Sequence, residues 1–392
     1  MVLPEDFIRN TRAMMGDRRF DRYMAAFDEP VPVSIRLNPQ KSRHMTVDGG
    51  EPVGWCPEGY YLDRRPAFTF DPLLHAGAYY VQEAASMFVS HVLRQYVDRP
   101  VSVLDLCAAP GGKSTATIAS LPEGSTLCAN EPDRRRCSIL EENIAKWGYA
   151  GCTVTNRYPR DFRREGCRYD VVICDVPCSG EGMFRRDAAT IGEWSLQNVG
   201  KCWRLQRDIV GDAWQCLAPG GLMVYSTCTF NTLENEENIL WMLRTFDDAR
   251  VLPVDTLAEW HITGSLLDGF REPVYRFFPG VTRSEGLFVC VLRKEGFSRS
   301  EERVTSLLAP PSSLLENTTV PLDYAQALRY LRGESLTLPA DAPLGVVTVS
   351  FEGFPLGTVK NIGSRANNQY PKPWRIKTTH IPTDYEAILR HT

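Results

Sequence analysis

Between residues 101 and 228, short runs rich in β-branched and other apolar residues alternate with longer segments of helical pattern. This alternation is typical of βαβ units, in which right-handed crossover helices join the parallel strands of one sheet. The segments 133–147 and 201–217 have the length of such helices. We therefore predict a doubly wound α/β sheet, whose six candidate strands are 101–107, 125–131, 152–156, 170–175, 221–228 and 287–292.

The first 95 residues have a different pattern and are predicted to be an N-terminal accessory region. Apolar residues in the segment 3–27 recur at the spacing of one helix face, with Phe20, Tyr23, Met24 and Phe27 as the clearest set. A short strand is expected at 34–39, followed by a turn-rich stretch up to about residue 80.

The last part of the chain is predicted to be a separate small module. Residues 96–296 hold the sheet, and a polar linker at 297–311 ends in two prolines. The segment 312–392 then begins with a helix at 324–332 and continues as short strands with glycine turns, one of them at 345–351. This pattern favours a compact α+β or barrel-like fold.

The charge balance limits how the chain can meet an anionic partner. Lys and Arg number 44 and Asp and Glu 48, so the formal net charge is −4 and only a local basic patch can attract an anion. The first residues are acidic where a secretion signal is basic, and no run of about 18 apolar residues occurs. We expect a cytoplasmic, monomeric protein without membrane contact.

A glycine-rich turn follows the first strand of the predicted sheet. The segment 104–114 leads from a buried strand into a helix, where glycine allows close approach of a ligand and the helix N-terminus favours negative charge. Cys107 stands where a phosphate-binding P-loop needs glycine, and no G-x-G-x-x-G motif is present. Glu131 ends the second strand, where a carboxylate can accept both hydroxyls of a ribose. Alternatively, Glu131 caps the helix that begins near Asp133.

Two cysteines are predicted at the tips of neighbouring strands. Cys178 and Cys228 each follow a buried strand at its carboxyl end, so both face one crevice. A thiolate is a strong nucleophile, and a positive charge such as Lys113 can lower its pKa.

The twelve cysteines also allow simpler interpretations. Plain packing is favoured for Cys107, Cys128, Cys174 and Cys216, because cysteine is among the most buried residue types. Zinc is disfavoured, because Cys174 and Cys178 lack a second ligand pair nearby, and no metal is expected.

Several stretches resemble the Sun family of S-adenosylmethionine-dependent RNA cytosine-5 methyltransferases. They include 105–113 (DLCAAPGGK), 175–184 (DVPCSGEGMF), 225–229 (YSTCT) and 234–238 (ENEEN). The N-terminal stretches 35–38 and 79–84 are also similar to that family, and 353–357 with 368–372 resemble the PUA-like module of its F branch, which acts on the bacterial small ribosomal subunit. The resemblance implies a Rossmann-like class I methyltransferase sheet with an N-terminal accessory region and a C-terminal PUA-like domain.

The resemblance also implies roles for individual residues. Cys228 is the expected nucleophile on carbon 6 of a cytosine, Cys178 assists the later elimination, and Asp175 bonds the base and the cofactor. On the adenine side, Asn156 and Asp161 are both open. The remaining residues expected to hold S-adenosylmethionine are Cys107, Ala108, Ala109, Pro110, Gly111, Gly112, Lys113 and, at the ribose, Glu131.

Two acid-free segments are candidate RNA contacts. The segments 30–47 and 353–383 contain no Asp or Glu, and basic residues alternate with aromatic ones in the second. That combination suits a phosphate track with stacking platforms, although a solvated basic face with core aromatics is the alternative. The candidates are Arg36, Lys360, Arg365, Tyr370, Lys372, Trp374 and Arg375.

Together these patterns predict an RNA cytosine-5 methyltransferase that acts on small-subunit ribosomal RNA. A transfer-RNA cytosine-5 methyltransferase and a non-catalytic ribosome assembly factor remain alternatives, but the latter has no use for two thiols beside a cofactor loop. A methyltransferase acting on protein or small molecules is disfavoured, because the turn Asp175-Val-Pro-Cys178 carries a thiol where amide-methylating relatives have an aromatic residue.

Overall fold

The computed structural model describes residues 2–296, 319–378 and 381–391, so the predicted linker at 297–311 lies outside the described residues. The chain begins with helices α1 (Glu5–Met15) and α2 (Asp17–Ala25). The sequence predicted one helix over this stretch, and that prediction is wrong at Gly16. Its φ of 73° belongs to the left-handed region that glycine adopts at little cost, and the turn separates the two helices.

A small antiparallel sheet follows the two helices, in the order β3-β4-β1-β5. The sequence predicted only β1 here, because prolines, glycines and aromatic residues obscure the alternation in β4. The elements are β1 (Val33–Leu37), β2 (Met45–Val47), β3 (Glu51–Val53), β4 (Cys56–Leu62), α3 (Pro72–His75), β5 (Tyr79–Val81) and α4 (Phe88–Tyr96).

The central sheet contains all six predicted strands, and the described structure adds Ala249–Leu252 and Tyr275–Phe277. Its strands are β6 (Ser102–Asp105), β7 (Thr126–Asn130), β8 (Cys152–Thr155), β9 (Tyr169–Asp175), β10 (Leu217–Thr227), β11 (Ala249–Leu252), β12 (Tyr275–Phe277) and β13 (Leu287–Lys294). The helices between them are α5 (Gly112–Ser120), α6 (Arg134–Trp147), α7 (Pro159–Arg164), α8 (Ala188–Glu193), α9 (Leu196–Cys216) and α10 (Glu236–Thr245).

The strand order is β11-β13-β10-β9-β6-β7-β8, and β12 pairs with β13. The five strands β6 to β10 are parallel to one another, whereas β13 is antiparallel to β10. Along the chain, β7 and β8 are added on one side of β6, and β9 and β10 are added on the other side. The loops that follow β6 and β9 therefore lead away from each other. A crevice forms at such a reversal, at the carboxyl ends of the strands.

The C-terminal module has a four-stranded sheet in the order β14-β15-β16-β17 beside one helix. A last strand returns to the N-terminal region and pairs with β2. The elements are β14 (Thr319–Pro321), α11 (Tyr324–Leu331), β15 (Gly345–Phe351), β16 (Phe354–Asn361), β17 (Ala366–Asn368) and β18 (Leu389–His391).

Shared cores join the three parts of the chain. Trp55 and Phe88 of the N-terminal region pack in one apolar cluster with Val103 and Val224 of the central sheet. A second cluster combines the N-terminal sheet with the C-terminal module, so the two pack against each other through a shared core. The second cluster includes Ile35, Leu37, Tyr79, Leu328, Val349 and Val359. In the described ranges, no helix has the length and apolar character needed to cross a membrane.

Candidate functional site

The loop after β6 forms the floor of a cavity at the carboxyl ends of the strands. The cavity has a volume of about 430 Å³, within the range of roughly 300 to 1,000 Å³ that is usual for small-molecule sites. Gly111 precedes α5 with a φ of 111°, and an added Cβ would lie 3.2 Å from Leu140. The wall includes residues of the predicted loop and of the N-terminal region, among them Tyr80, Gln82, Asp105, Cys107, Lys113 and Asp175.

Asp105, at the end of β6, provides a buried acceptor on this cavity. Its side chain is fully buried, and its Oδ2 accepts a hydrogen bond from Ser114 Oγ at 2.6 Å. Its Oδ1 has no hydrogen-bond partner among the described residues. Burial raises the pKa of Asp105 to about 7. Asp105 is not among the site residues predicted from the sequence, although an acid that ends a buried strand just before a glycine loop indicates a ligand site.

Glu131 follows β7 and is almost fully buried, with 2% of its side chain exposed. Its Oε1 accepts the Asp133 N–H at 3.0 Å. Asp133 itself caps α6 by accepting the N–H groups of Arg135 and Arg136, so the helix does not need Glu131 as its cap. The second oxygen, Oε2, lies 3.3 Å from the Arg136 guanidinium but without hydrogen-bond geometry, which leaves it able to accept.

The structure separates the two candidates for the adenine side. Asn156 is exposed, and its Nδ2 donates to the main-chain oxygens of Glu131 at 2.7 Å and Pro132 at 2.9 Å. Asp161 instead accepts the Tyr158 N–H at 3.1 Å and so caps its own helix α7. Asn156 is therefore the candidate beside Glu131, because the Asp161 carboxylate is used within its helix.

The two predicted cysteines lie beside each other at the carboxyl ends of β9 and β10. Cys178 Sγ lies 3.2 Å from Cys228 Sγ, although the residues are on loops after different strands. Both side chains are partly accessible and neither is in a disulfide. The hydrogen bond with Cys228 and then burial raise the pKa of the Cys178 thiol well above its ordinary value. The raised pKa favours the protonated form of Cys178.

A lysine and an aspartate connect the thiol pair to the cavity. Lys113 Nζ donates to Asp175 Oδ2 at 2.9 Å, and Asp175 Oδ1 accepts from Ser226 Oγ at 2.7 Å. Burial opposes a charge on Lys113, but the attraction of Asp175 and then of Cys228 raises the pKa of Lys113 above its usual value. A positive charge thus lies near Cys228.

Glu234, a buried carboxylate, anchors the loop that carries Cys178. Glu234 Oε2 accepts the Ser179 N–H at 3.0 Å and the Gln206 amide at 2.7 Å, and Oε1 accepts Asn231 Nδ2 at 2.8 Å. Burial raises the pKa of Glu234 to about 7. The acid lies in a motif that the sequence analysis quoted, but nothing in the sequence indicates that it is buried.

Glu181 and Gly182 hold the same loop against the loop that carries Cys228. Glu181 Oε2 accepts the Phe230 N–H at 2.8 Å, and the Gly182 N–H donates to the main-chain oxygen of Cys228 at 2.8 Å. A Cβ at Gly182 would lie 2.6 Å from the Gly286 Cα and 2.8 Å from the Cys228 oxygen. Only glycine fits there, so the separation of the two thiols depends on close contact between main chains.

The predicted RNA contacts are only partly on the surface. Arg36 is buried, donates to Gln82 at 2.7 Å and stacks on Trp147, so its prediction as an RNA contact is corrected. Tyr370 is also buried, against Tyr330, and the same correction applies. Lys360, Arg365 and Lys372 are exposed, whereas Trp374 and Arg375 are half-buried.

Comparison with protein families finds three matches along the chain. The family 16S rRNA methyltransferase RsmB/F matches residues 95–293. The N-terminal domain of 16S rRNA methyltransferase RsmF matches residues 3–84, and the methyltransferase RsmF PUA domain matches residues 317–376.

Curated relatives of this chain include proteins named ribosomal RNA small subunit methyltransferase F. The ribosomal RNA small subunit methyltransferase F of Pectobacterium atrosepticum is 34% identical over 314 residues, which cover 75% of this chain and 63% of that protein. The protein of that name from Escherichia coli is 33% identical over 309 residues, covering 75% of this chain and 64% of its own length. The chain thus spans less than two thirds of the length of these relatives.

Solved structures share the fold. A methyltransferase homolog protein from Pyrococcus horikoshii has a TM-score of 0.60 at 25% identity and covers 74% of this chain and 100% of its own. NSun6 from Pyrococcus horikoshii with SFG has a TM-score of 0.61 at 20% identity and covers 75% and 99%. The predicted class I methyltransferase sheet, with an N-terminal domain and a C-terminal PUA domain, is confirmed.

Proposed function

Because this chain belongs to the 16S rRNA methyltransferase RsmB/F family, we propose that it is an S-adenosylmethionine-dependent RNA cytosine-5 methyltransferase of the cytoplasm that acts on small-subunit ribosomal RNA. The 3.2 Å contact between Cys178 Sγ and Cys228 Sγ carries the proposal. Two thiols beside one positive charge suit covalent attack on a base, whereas a purely RNA-binding assembly factor has no use for them. A transfer RNA is the alternative substrate.

The cavity suits S-adenosylmethionine. Asp105 Oδ1 and Glu131 Oε2 are buried oxygens without hydrogen-bond partners in the described residues, and they match the ammonium and ribose hydroxyl donors of that molecule. The loop 107–113 brings main chain and the start of α5 close to the ligand. The bound cofactor supplies an electrophilic methyl group, and the protein positions it.

Cys228 is assigned the role of nucleophile. Its sulfur forms a bond to carbon 6 of the cytosine, and the electron pair of the 5,6 double bond becomes available at carbon 5 for the methyl group. Lys113 lies near enough to interact electrostatically with Cys228, whose sulfur must attack. Asp175, held by Lys113 and Ser226, is placed to bond the ring as its charge changes.

Cys178 is assigned the proton transfer that completes the reaction. The carbon-5 proton must leave so that the 5,6 double bond re-forms and the bond from Cys228 to carbon 6 breaks. In this step Cys178 first releases its own proton to solvent and then accepts the carbon-5 proton as a thiolate, and the raised pKa of the thiol makes that thiolate a strong base. A base must leave its stack to reach the thiols, so loops or partly unfolded RNA are the favoured substrates.

Transfer of a labelled methyl group to RNA tests the proposal. Wild-type protein is incubated with labelled S-adenosylmethionine and transcripts of small-subunit rRNA or of tRNA, and the position of the label is determined. We expect 5-methylcytosine in the rRNA, no transfer with Cys228→Ala, and a stable protein–RNA adduct with Cys178→Ala.

Cys202→Ala is the matched control, because Cys202 is a half-buried thiol on α9 that lies outside the sulfur pair. This variant is expected to retain activity. Full methyl transfer by Cys228→Ala would contradict the covalent mechanism, and labelling of tRNA alone would replace the proposed substrate.

A further inference from the structure

A groove lined by arginines lies between α7 and α9, outside the cofactor cavity. Its volume is about 780 Å³, and its lining contains four arginines but only two carboxylates, Asp208 and Asp212. We call it the arginine groove and define it by Arg160, Arg163, Arg168 and Arg207. The chain as a whole has a net charge of −4, so this is a local reversal of sign.

The carboxylates do not neutralise the groove. Asp212 pairs with Arg163 at 3.1 Å, and 17% of the Asp212 side chain is exposed. In the described part of the chain, Arg160 and Arg168 form no ion pair although both are exposed. Arg168 Nη1 donates to the main-chain oxygen of Cys167 at 3.0 Å, and the other donors of the two guanidinium groups face an anion from outside.

Aromatic side chains accompany the charges. Tyr158 is 57% exposed, which is unusual for so large a side chain, and the Arg160 guanidinium lies 4.9 Å from its ring centre. At the other end, Arg207 lies 4.2 Å from the Trp203 ring centre and donates to Asn238 at 3.0 Å. Basic side chains beside an exposed ring such as that of Tyr158 are typical of surfaces that bind single-stranded nucleic acid.

Helix α9 connects the groove to the loop that carries Cys178. Gln206 donates to the main-chain oxygen of Pro177, next to Cys178, and Arg207 is the following residue of α9. From Arg207 the groove follows α9 to Gln215, a distance of about 12 Å at 1.5 Å per residue. A strand that leaves the thiol pair along α9 therefore meets the arginines directly.

We propose that the arginine groove binds the phosphate backbone of the RNA strand that flanks the target cytosine, and that Tyr158 stacks on one of its bases. The proposal rests on the proposed function, and it adds a contact surface on the methyltransferase domain to the exposed basic residues of the C-terminal module. Bidentate arginine is well suited to phosphate.

RNA binding without methyl donor tests the groove. In the double variant R160Q/R168Q two guanidinium groups are lost, while the ion pair of Arg163 and the stacked Arg207 remain. For single strands the slope of log K against log salt changes by about 0.7 per contact, so we expect it to be shallower by about 1.4. At 0.1 M salt, the same relation predicts that loss of one contact weakens the affinity for RNA about fivefold, and that loss of both contacts weakens it about 25-fold.

Two further variants sharpen the result. R9Q/R250Q removes two exposed arginines elsewhere and is expected to leave the slope unchanged. Y158A is expected to weaken binding about tenfold while keeping the wild-type slope, because stacking releases no counterion. In methylation assays, R160Q/R168Q is expected to raise KM for RNA with little change in kcat.

An unchanged slope in R160Q/R168Q, or an equal decrease in R9Q/R250Q, overturns the proposal. The proposal is also overturned if a polyglutamate probe binds the groove while the slope of log K against log salt for RNA is the same in R160Q/R168Q as in the wild type. Wild-type protein that binds RNA through the groove but transfers no methyl group contradicts the proposed function and leaves the groove intact.

Discussion

Substitution of Asp105 by Asn tests how the cavity holds its cofactor. Asp105 is fully buried, and burial raises its pKa to about 7, so at pH 6 the unliganded protein holds this carboxyl mostly protonated. A positively charged donor on the cofactor requires the ionised form. Binding at pH 6 must therefore release a proton, and affinity should increase as pH rises and become constant above about pH 8.

The size of the effect follows from that pKa. With a pKa of about 7, the apparent Kd exceeds its limiting value by a factor of about 11 at pH 6 and about 1.1 at pH 8. The wild-type protein should thus bind S-adenosylmethionine about tenfold more tightly at pH 8 than at pH 6. A hydrogen bond to a charged group contributes about 1.5 to 3 kcal/mol, so Asp105→Asn should weaken binding at pH 8 by about 10- to 150-fold.

Isothermal titration calorimetry at pH 6, 7 and 8 measures the pH dependence of the affinity and the effect of the substitution. The ligand has its own ionisable groups, and their contribution cancels when the wild type is compared with Asp105→Asn. Asp105→Asn should show little dependence on pH beyond that of the ligand. The reasoning is refuted if the variant keeps the wild-type pH dependence, or if it binds as tightly as wild type at pH 8.

Three further predictions concern the supports of the site. Gly182→Ala should destabilise the protein by about 1 to 3 kcal/mol and reduce kcat at least tenfold, because the added carbon forces the two cysteine loops apart. Glu234→Gln should lower the free energy of unfolding by about 1 to 3 kcal/mol at pH 8, because the NH₂ group of the new side chain would face the N–H donors of Ser179 and Gln206. The pKa values of Asp105, Glu234 and Glu285 are all raised to about 7 by burial, so the folded state binds protons that the unfolded state has released. Stability should therefore fall as pH rises from about 4 to about 7, as measured by urea unfolding.

Each of these has a control. Gly192→Ala adds the same carbon in α8, where nothing lies within 4 Å, and it should leave kcat unchanged. If Gly182→Ala behaves like Gly192→Ala, the loop packing is not essential. If Glu234→Gln has wild-type stability at pH 8, or if stability rises from pH 5 to pH 7, the assignment of buried carboxyl groups is wrong.

The central sheet was predictable because its strands are buried on both faces. Parallel strands covered on both sides are continuous apolar runs, and each of the six runs proposed from the sequence forms a strand. Ala249–Leu252 and Tyr275–Phe277 are short strands near the edge formed by β13, and their few residues give no clear period.

The meeting of Cys178 and Cys228 was predictable from topology alone, because both follow parallel neighbours in the sheet. The carboxylates beneath them were not. Whether an acid such as Glu234 is buried depends on packing among segments far apart in the chain, and its local sequence resembles that of an exposed helix start. The RNA prediction failed at Arg36 for the same reason, since its partner Trp147 lies more than a hundred residues away.

The N-terminal region shows a further limit of sequence reasoning. Its residues Tyr80 and Gln82 line the cofactor cavity, and it shares an apolar core with the C-terminal module. Composition distinguished these regions, but tertiary packing unites them. A change in the N-terminal sheet is therefore expected to affect the cofactor site as well.

The attachment site of RNA on the Cys178→Ala variant tests the account most directly. The variant is incubated with S-adenosylmethionine and small-subunit rRNA, digested, and the peptide that carries a nucleotide is identified by mass spectrometry. A methylated cytosine bonded through carbon 6 to the Cys228 sulfur is the predicted result. Methyl transfer without any adduct, or attachment at another cysteine, would contradict the proposal that these two thiols act in turn on one base.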